Sequence, residues 1–224
     1  MKKSVVLLSG GLDSAVTAAI AVGKSRCTFV HVNYGQRTEA RELRAFNGIA
    51  RRYGTRSLVA GISHFKKIGG SALTDKSIEV PKGRLKRRGI PVTYVPFRNA
   101  HLLSVAVSVA ETIGAGEVYI GAVEEDGSGY PDCREAFFKA FEKAVNLGVK
   151  KKKIKIKTPL IHKRKAAIVR LGVRLNAPLH LTWSCYKDSG RACGKCDSCL
   201  LRLRGFKEAG IEDPIPYRRE DDVS

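Results

Sequence analysis

The sequence predicts an α/β fold, a mostly parallel sheet with helices on both faces and a small four-cysteine segment near the C-terminus. Three observations predict it. Short apolar, β-branched runs at Val5–Leu8, Thr28–Val32, Arg56–Val59 and Glu117–Ile120 alternate with stretches of helical composition. The turn Ser9-Gly10-Gly11-Leu12-Asp13-Ser14 stands directly between the first run and the first helical stretch. Cys185, Cys193, Cys196 and Cys199 crowd into one short segment.

Strand, glycine turn and helix start are the layout of a phosphate cradle. Two glycines let the backbone approach a phosphate closely, and Ser9, Ser14 and the unpaired N–H groups of the first helical turn can donate to it. The partial positive charge at the helix N-terminus adds to the attraction. No lysine follows Gly10 or Gly11 as a P-loop requires, and no Gly-x-Gly-x-x-Gly fingerprint is present in the turn. The turn is therefore a phosphate loop of another kind, or a serine-capped helix start after a strand. In a doubly wound sheet the ligand sits at the carboxyl ends of the strands, where this turn falls.

Along the chain, Ala15 to Val22, Thr38 to Tyr53, His101 to Ile113, Arg134 to Val145 and Lys165 to Leu175 have helical composition or spacing. Residues 63–95 are glycine-rich and basic without a period, and Ile78 to Pro96 reads as a long loop able to fold over a ligand. Lys150 to Lys157 alternates lysine with Ile154 and Ile156, the pattern of an exposed, charged strand. The expected division is a nucleotide-binding body over 1–177 and a C-terminal helical, metal-binding segment over 178–224 packed on it.

The chain of 224 residues carries 41 basic and 21 acidic side chains, a net charge of +20. The surplus is concentrated from Lys150 to Arg204, where Asp188 and Asp197 are the acidic residues. Such a field attracts polyanions, among them nucleotides, pyrophosphate and RNA, although a solvated lysine surface also accounts for it. The N-terminus enters a strand without a charged, apolar leader, and no apolar run approaches a membrane span. A cytoplasmic protein without membrane contact is expected, in which clustered cysteines are metal ligands rather than disulfides.

The four cysteines form C-x7-C-x2-C-x2-C, with Gly194 and Ser198 at the tight turns. Four soft ligands favour tetrahedral Zn²⁺ in a closed structural site; an iron–sulfur cluster is the alternative. Cys27 reads as a small core residue. Cys133 lies in a polar, glycine-containing stretch, Asp126 to Arg134, just past a buried strand: a substrate loop, or a plain loop with a helix cap at Asp132.

The turn Ser9–Ser14 resembles the pyrophosphate loop of ATP pyrophosphatases. Together with Tyr34-Gly35-Gln36-Arg37, Gly69 to Asp75, Arg98-Asn99, Ser128 to Arg134, Thr158-Pro159-Leu160, Lys165, Thr182 to Tyr186 and the remaining cysteines, it resembles the 7-cyano-7-deazaguanine synthase family over nearly the whole chain. The resemblance implies an adenine nucleotide alpha hydrolase-like, Rossmann-like fold. It also implies an ATP-dependent ligase converting 7-carboxy-7-deazaguanine and ammonia to the nitrile through an adenylated carboxylate and an amide, on the way to queuosine or archaeosine. Structural zinc, Mg²⁺ and a homodimer are implied with it.

By this resemblance Leu8, Ser9, Gly10, Gly11, Leu12, Asp13, Ser14, Ala15, Val16, Thr17 and Ala18 hold the nucleotide, with Asp13 positioning Mg²⁺ or the loop. Lys165 supplies a cation to the phosphates, and Arg98 and Arg134 pair with phosphate or the substrate carboxylate. Asn99, Asp126, Ser128, Gly129, Tyr130 and Asp132 contact the deazaguanine ring, and Cys185, Cys193, Cys196 and Cys199 bind the metal. The sequence departs from the family pattern at Phe97, where glycine is expected, and at Val123, Gly127 and Ala167, where asparagine, a bulky aromatic and glutamate are. Two other readings fit the charge and the cysteines: a pyrophosphate-loop enzyme acting on tRNA directly, and a non-catalytic zinc-ribbon RNA-binding module.

Overall fold

The computed structural model describes residues 2–83, 89–124, 129–150 and 153–218. Five parallel strands, β1 Lys3–Leu7, β2 Arg26–Asn33, β3 Arg56–Gly61, β4 Glu117–Ile120 and β5 Lys155–Lys157, lie in the order β3-β2-β1-β4-β5. Val5 pairs with Thr28 on one side and Val118 on the other, and Leu7 with Val30 and Ile120.

Side-chain alternation gives the sheet two covered faces. Val5, Leu7, Val30, Val32, Val118 and Ile120 pack with α4 Arg98–Ile113 and with Phe138 of α5 Glu135–Gly148. Val6, Leu8, Phe29 and Tyr119 pack with α1 Leu12–Val22 and α2 Glu39–Tyr53. Central strands buried on both faces read as continuous apolar runs. On α2 the buried stripe is Ala45, Phe46, Ile49 and Ala50, and the helix stops at Gly54, whose φ of 59° is left-handed. Phe46 is fully buried, and its ring contributes roughly 3 kcal/mol, so Phe46→Ala would loosen α2 from the sheet.

Outside α1 lie α6 Lys165–Arg174 and α7 Asp197–Ala209, joined through Val16, Ile168, Val169, Leu179 and Phe206. Gly172 permits a close approach of α6 to α1: a Cβ there would lie 2.9 Å from Val16 Cγ2. Chain order reverses at β1, which is followed by β2 on one side and flanked by β4 on the other. The loops after β1 and β4 therefore diverge and leave a crevice between them.

Three local expectations change. The lysine–isoleucine segment is not an exposed strand: β5 is an edge strand whose Ile156, with Ile154 before it, is buried in the sheet core while Lys155 points out. Asp132 caps α4 rather than the helix that follows it, accepting from Asn99 N at 2.9 Å; Glu124 serves α5, accepting from Glu135 N at 3.0 Å. A short helix, α3 His64–Ile68, occupies part of the stretch in which no period is evident. The first part of the Ile78–Pro96 loop lies against the C-terminal segment, with Ile78 and Val80 on Trp183 and the cysteines and Gly83 N donating to Lys195 O at 2.7 Å, while Val95 packs in the sheet core and Val92 O accepts from Ala72 N.

Candidate functional site

Between β1 and α1, Gly10 adopts φ 90°, and a Cβ on it would lie 2.7 Å from Glu42 O. A side chain is thus excluded both by conformation and by the packing of α2. The turn is tied within itself: Gly11 N donates to Ser9 Oγ at 3.2 Å, and Ser14 Oγ donates to Gly11 O at 2.9 Å. Gly121, just after β4, brings the second crevice wall against the turn, since a Cβ there would meet Asp13 C and Ser14 N at 2.8 Å. The first-turn N–H groups of α1, which have no intrahelical partner, open at this point. Lys165, at the start of α6, reaches across and donates to both Asp13 carboxylate oxygens, at 2.9 and 2.8 Å.

The turn floors a cleft of about 300 Å³, at the lower end of the range for small-molecule sites. Its other end is built from Tyr34, Arg98, Asn99, Tyr130, Cys133 and Tyr186. Arg98 lies over the Tyr34 ring, 5.6 Å from its centre, and donates to Tyr34 OH at 3.3 Å. Burial pushes the Tyr34 phenol up to about 12, so it stays protonated. Burial pulls the Arg98 pKa down, but its surroundings, Tyr34 first, outweigh that and the net shift is upward, so the guanidinium stays charged. Arg98 Nε and Asp132 Oδ1 are buried and have no hydrogen-bond partner among the described residues. Asn99 Nδ2 donates to Asp132 O at 2.9 Å and Cys133 Sγ at 3.3 Å. Burial raises the Cys133 thiol to about 11, an inert, neutral group at physiological pH.

Of the residues assigned to the nucleotide, Leu8, Ser9, Gly11, Leu12, Asp13 and Ser14 line the cleft. Gly10 lies beneath the turn, and Ala15, Val16, Thr17 and Ala18 are buried along α1 outside the lining. Lys165, Arg98, Asn99 and Tyr130 line the cleft; Asp132 stands behind Asn99; Gly129 lies outside the lining, where a Cβ on it would meet Gly89 O at 3.1 Å. Arg134 is exposed at the N-terminus of α5 and does not line the cleft. Asp126 and Ser128, and the departure at Gly127, lie outside the described residues. Val123 lines the cleft while packing on Leu12 and Leu160, and Phe97 holds φ 57° in front of α4.

Among the lining residues that the sequence did not single out as site residues are His31, Glu42, Ser184 and Arg202. His31 Nδ1 lies 3.0 Å from Leu8 O and Nε2 2.9 Å from Asn33 Oδ1, tying β2 to the turn. Glu42 had a signal, its spacing of one helical turn from Thr38, whose hydroxyl donates to it. Arg202 is buried, paired with Asp213 at 2.8 Å and bonded to Thr182 and Ser184.

The sulfurs of Cys185, Cys193, Cys196 and Cys199 all lie within 4.8 Å of one another, with Cys193 and Cys199 3.9 Å apart. Four sulfurs at ~2.3 Å from one tetrahedral ion stand about 3.8 Å apart, so the spacing fits a single soft cation and is too tight for a multi-iron cluster. Backbone N–H groups of Lys187, Asp188 and Cys193 donate to Cys185 Sγ at 3.3–3.4 Å. Hydrogen bonds from Cys196 and Cys199, against the opposing effect of burial and helped by the Cys193 and Asp188 N–H groups, hold the Cys185 thiol far below its ordinary range. The segment is joined to the Ser9–Ser14 turn by Trp183 N, which donates to Gly10 O at 2.8 Å.

Residues 3–210 match the family model described as "Queuosine biosynthesis protein QueC". A 7-cyano-7-deazaguanine synthase of Acidobacterium capsulatum is 55% identical over 221 residues, covering 96% of each chain. One of Nautilia profundicola is 56% identical over 228 residues, covering 98% of this chain and all of that protein. Among solved structures, a predicted tRNA methyltransferase subunit from Methanocaldococcus jannaschii superposes with a TM-score of 0.50 at 12% identity, covering 98% of this chain and 94% of that one, a likeness of fold alone. No helix among the described residues is long and apolar enough to cross a membrane.

Proposed function

The chain belongs to the queuosine biosynthesis protein QueC family, and from that premise we propose that it is an ATP-dependent ligase converting 7-carboxy-7-deazaguanine and ammonia into 7-cyano-7-deazaguanine. The observation that carries this reading is one cleft with a phosphate-cradling turn and the Asp13–Lys165 pair at one end and the charged, incompletely bonded Arg98 at the other.

A carboxylate accepts ammonia only after its oxygen becomes a leaving group, and transfer of AMP to that oxygen provides one. In this reading the α1 N-terminus, Ser9 and Ser14 receive the phosphates, and Lys165 leaves Asp13 to meet the negative charge developing on them. Asp13 is the residue that would hold Mg²⁺, which supplies further charge neutralisation. Arg98, with Nε unsatisfied, takes the substrate carboxylate and holds it facing the turn. Tyr130 and Tyr186 offer faces for the ring, and the Asp132 and Asn99 pair fixes the wall behind it. Ammonia then gives the amide, whose oxygen leaves after a second activation in the same cradle.

The cysteine site, with all four positions filled by sulfur, is read as structural zinc clamping 178–224 to the body 1–177. Cytoplasmic location and homodimer assembly belong to the same reading. Pyrophosphate release from ATP that appears only with 7-carboxy-7-deazaguanine, and without RNA, tests the proposal; release requiring tRNA would favour direct tRNA modification instead.

A further inference from the structure

Glu42 lines the same cleft as Asp13, Lys165 and Arg98 and has no task in the scheme above. Its Oε1 accepts from Thr38 Oγ1 at 2.8 Å and its Oε2 from Gln36 Nε2 at 3.0 Å. Both donors are neutral. A carboxylate has about four acceptor sites, so roughly half of its capacity is left. Burial raises its affinity for a proton, against the smaller opposing effects of Thr38, Gln36, His31 and Arg98. Its backbone carbonyl presses on Gly10 of the phosphate turn, and its charge is felt by Tyr34 at the Arg98 end. A basic, half-satisfied carboxylate therefore stands between the two ends of the cleft.

The nucleophile of the proposed reaction meets the protein mainly as ammonium, a small cation with no lone pair to attack with. It needs an anion to draw it in and a base to take a proton. The neutral donors on Glu42 hold the carboxylate in place without cancelling its charge, as a site for a small hydrogen-bonding cation requires.

We propose that Glu42 is the ammonium site and general base of the amide-forming step, a role that rests on the ligase reading above. Ammonium donates one N–H to a Glu42 oxygen, and that proton passes to the carboxylate. The freed lone pair forms the C–N bond to the adenylated carbonyl carbon; the carbon–oxygen bond to AMP breaks, its electron pair leaving with the phosphate. The nitrogen sheds a second proton to water, and Glu42 releases the first before the next turnover.

The test compares wild type with Glu42→Gln and Glu42→Asp in three assays: 7-carboxy-7-deazaguanine-dependent exchange of labelled pyrophosphate into ATP, which needs no ammonia; amide and nitrile formation with ammonium; and hydroxamate formation with hydroxylamine, already a free base at neutral pH. In Glu42→Gln we expect kcat/KM for ammonium to fall about a hundredfold or more, with exchange and hydroxamate formation unchanged. Glu42→Asp, which keeps the charge, should recover part of the loss and decides the matter if the glutamine variant does not fold. A parallel fall in exchange and ammonium use, with a lowered melting temperature, would make Glu42 a structural tie for the Tyr34–Thr38 loop and overturn the proposal. A defect confined to KM for 7-carboxy-7-deazaguanine, or no defect, would overturn it too. Absence of exchange in the wild type would instead overturn the ligase reading, and this proposal with it.

Discussion

Lys165 Nζ grips both carboxylate oxygens of Asp13, at 2.9 and 2.8 Å, and so fastens the first turn of α6 to the first turn of α1 across the crevice. The pair lines the cleft beside the Ser9–Ser14 turn and acts as a strut between its two walls.

Asp13→Asn should abolish ATP-dependent product formation. It leaves Lys165 facing a neutral acceptor, and a loss of about 1–3 kcal/mol in urea unfolding is expected, without unfolding at room temperature. Normal turnover in this variant would remove Asp13 from the site.

Cys196→Ser should strip the metal and cost at least about 3 kcal/mol, a fall of roughly 6–12 °C in Tm for a chain of this length. Metal analysis beside thermal unfolding checks it. Unchanged zinc content would refute the four-sulfur site.

Arg202 and Asp213 form a nearly sealed ion pair, their side chains 2% and 6% exposed, with Tyr217 OH also donating to Asp213 at 2.7 Å. Removing one partner strands the other charge, so Arg202→Ala should destabilise the fold by about 3–5 kcal/mol. The double variant Arg202→Ala/Asp213→Ala should cost less than the sum of the single changes, as a denaturation double-mutant cycle would read.

The Cys133 thiol, lifted by burial from 9.0 to about 11, binds its proton more tightly folded than unfolded. Its contribution to stability is therefore complete below pH 9 and is lost as pH rises through 9 toward 11. Alkylation at Cys133, followed by mass, should stay slow at pH 8 and accelerate above pH 10. Fast alkylation at pH 7 would contradict the buried, neutral thiol.

Phe97 sits at φ 57° with its ring over half exposed. Phe97→Gly and Phe97→Ala both delete the ring contacts to Phe137 and His101, but only glycine takes the left-handed conformation freely. The glycine variant should be the more stable of the two by about 1 kcal/mol. Equal stabilities would show that the backbone there is relaxed.

The sheet was legible because its central strands are buried on both faces and leave unbroken apolar runs, such as Val5 to Leu8. The glycine turn between β1 and α1 was legible because Gly10 is demanded by both its φ and its neighbour Glu42. What escaped was set by tertiary context. Ile154 and Ile156 alternate with lysines whether their strand lies free or on an edge, and only pairing with β4 buries them. His31 stands between Val30 and Val32 in β2, and its tie to Leu8 O exists only once β1 and β2 are side by side. Arg202 carries no local sign that Asp213 will cover it. Asp132 reads as the cap of the nearer helix because spacing along the chain cannot reveal that α4 presents Asn99 N to it.

The most direct test of the central claim is to incubate the protein with ATP, Mg²⁺, ammonium and 7-carboxy-7-deazaguanine, without RNA, and follow the deazaguanine by mass. The amide and then the nitrile should appear, with AMP released in step. An unaltered acid beside intact ATP would contradict the account.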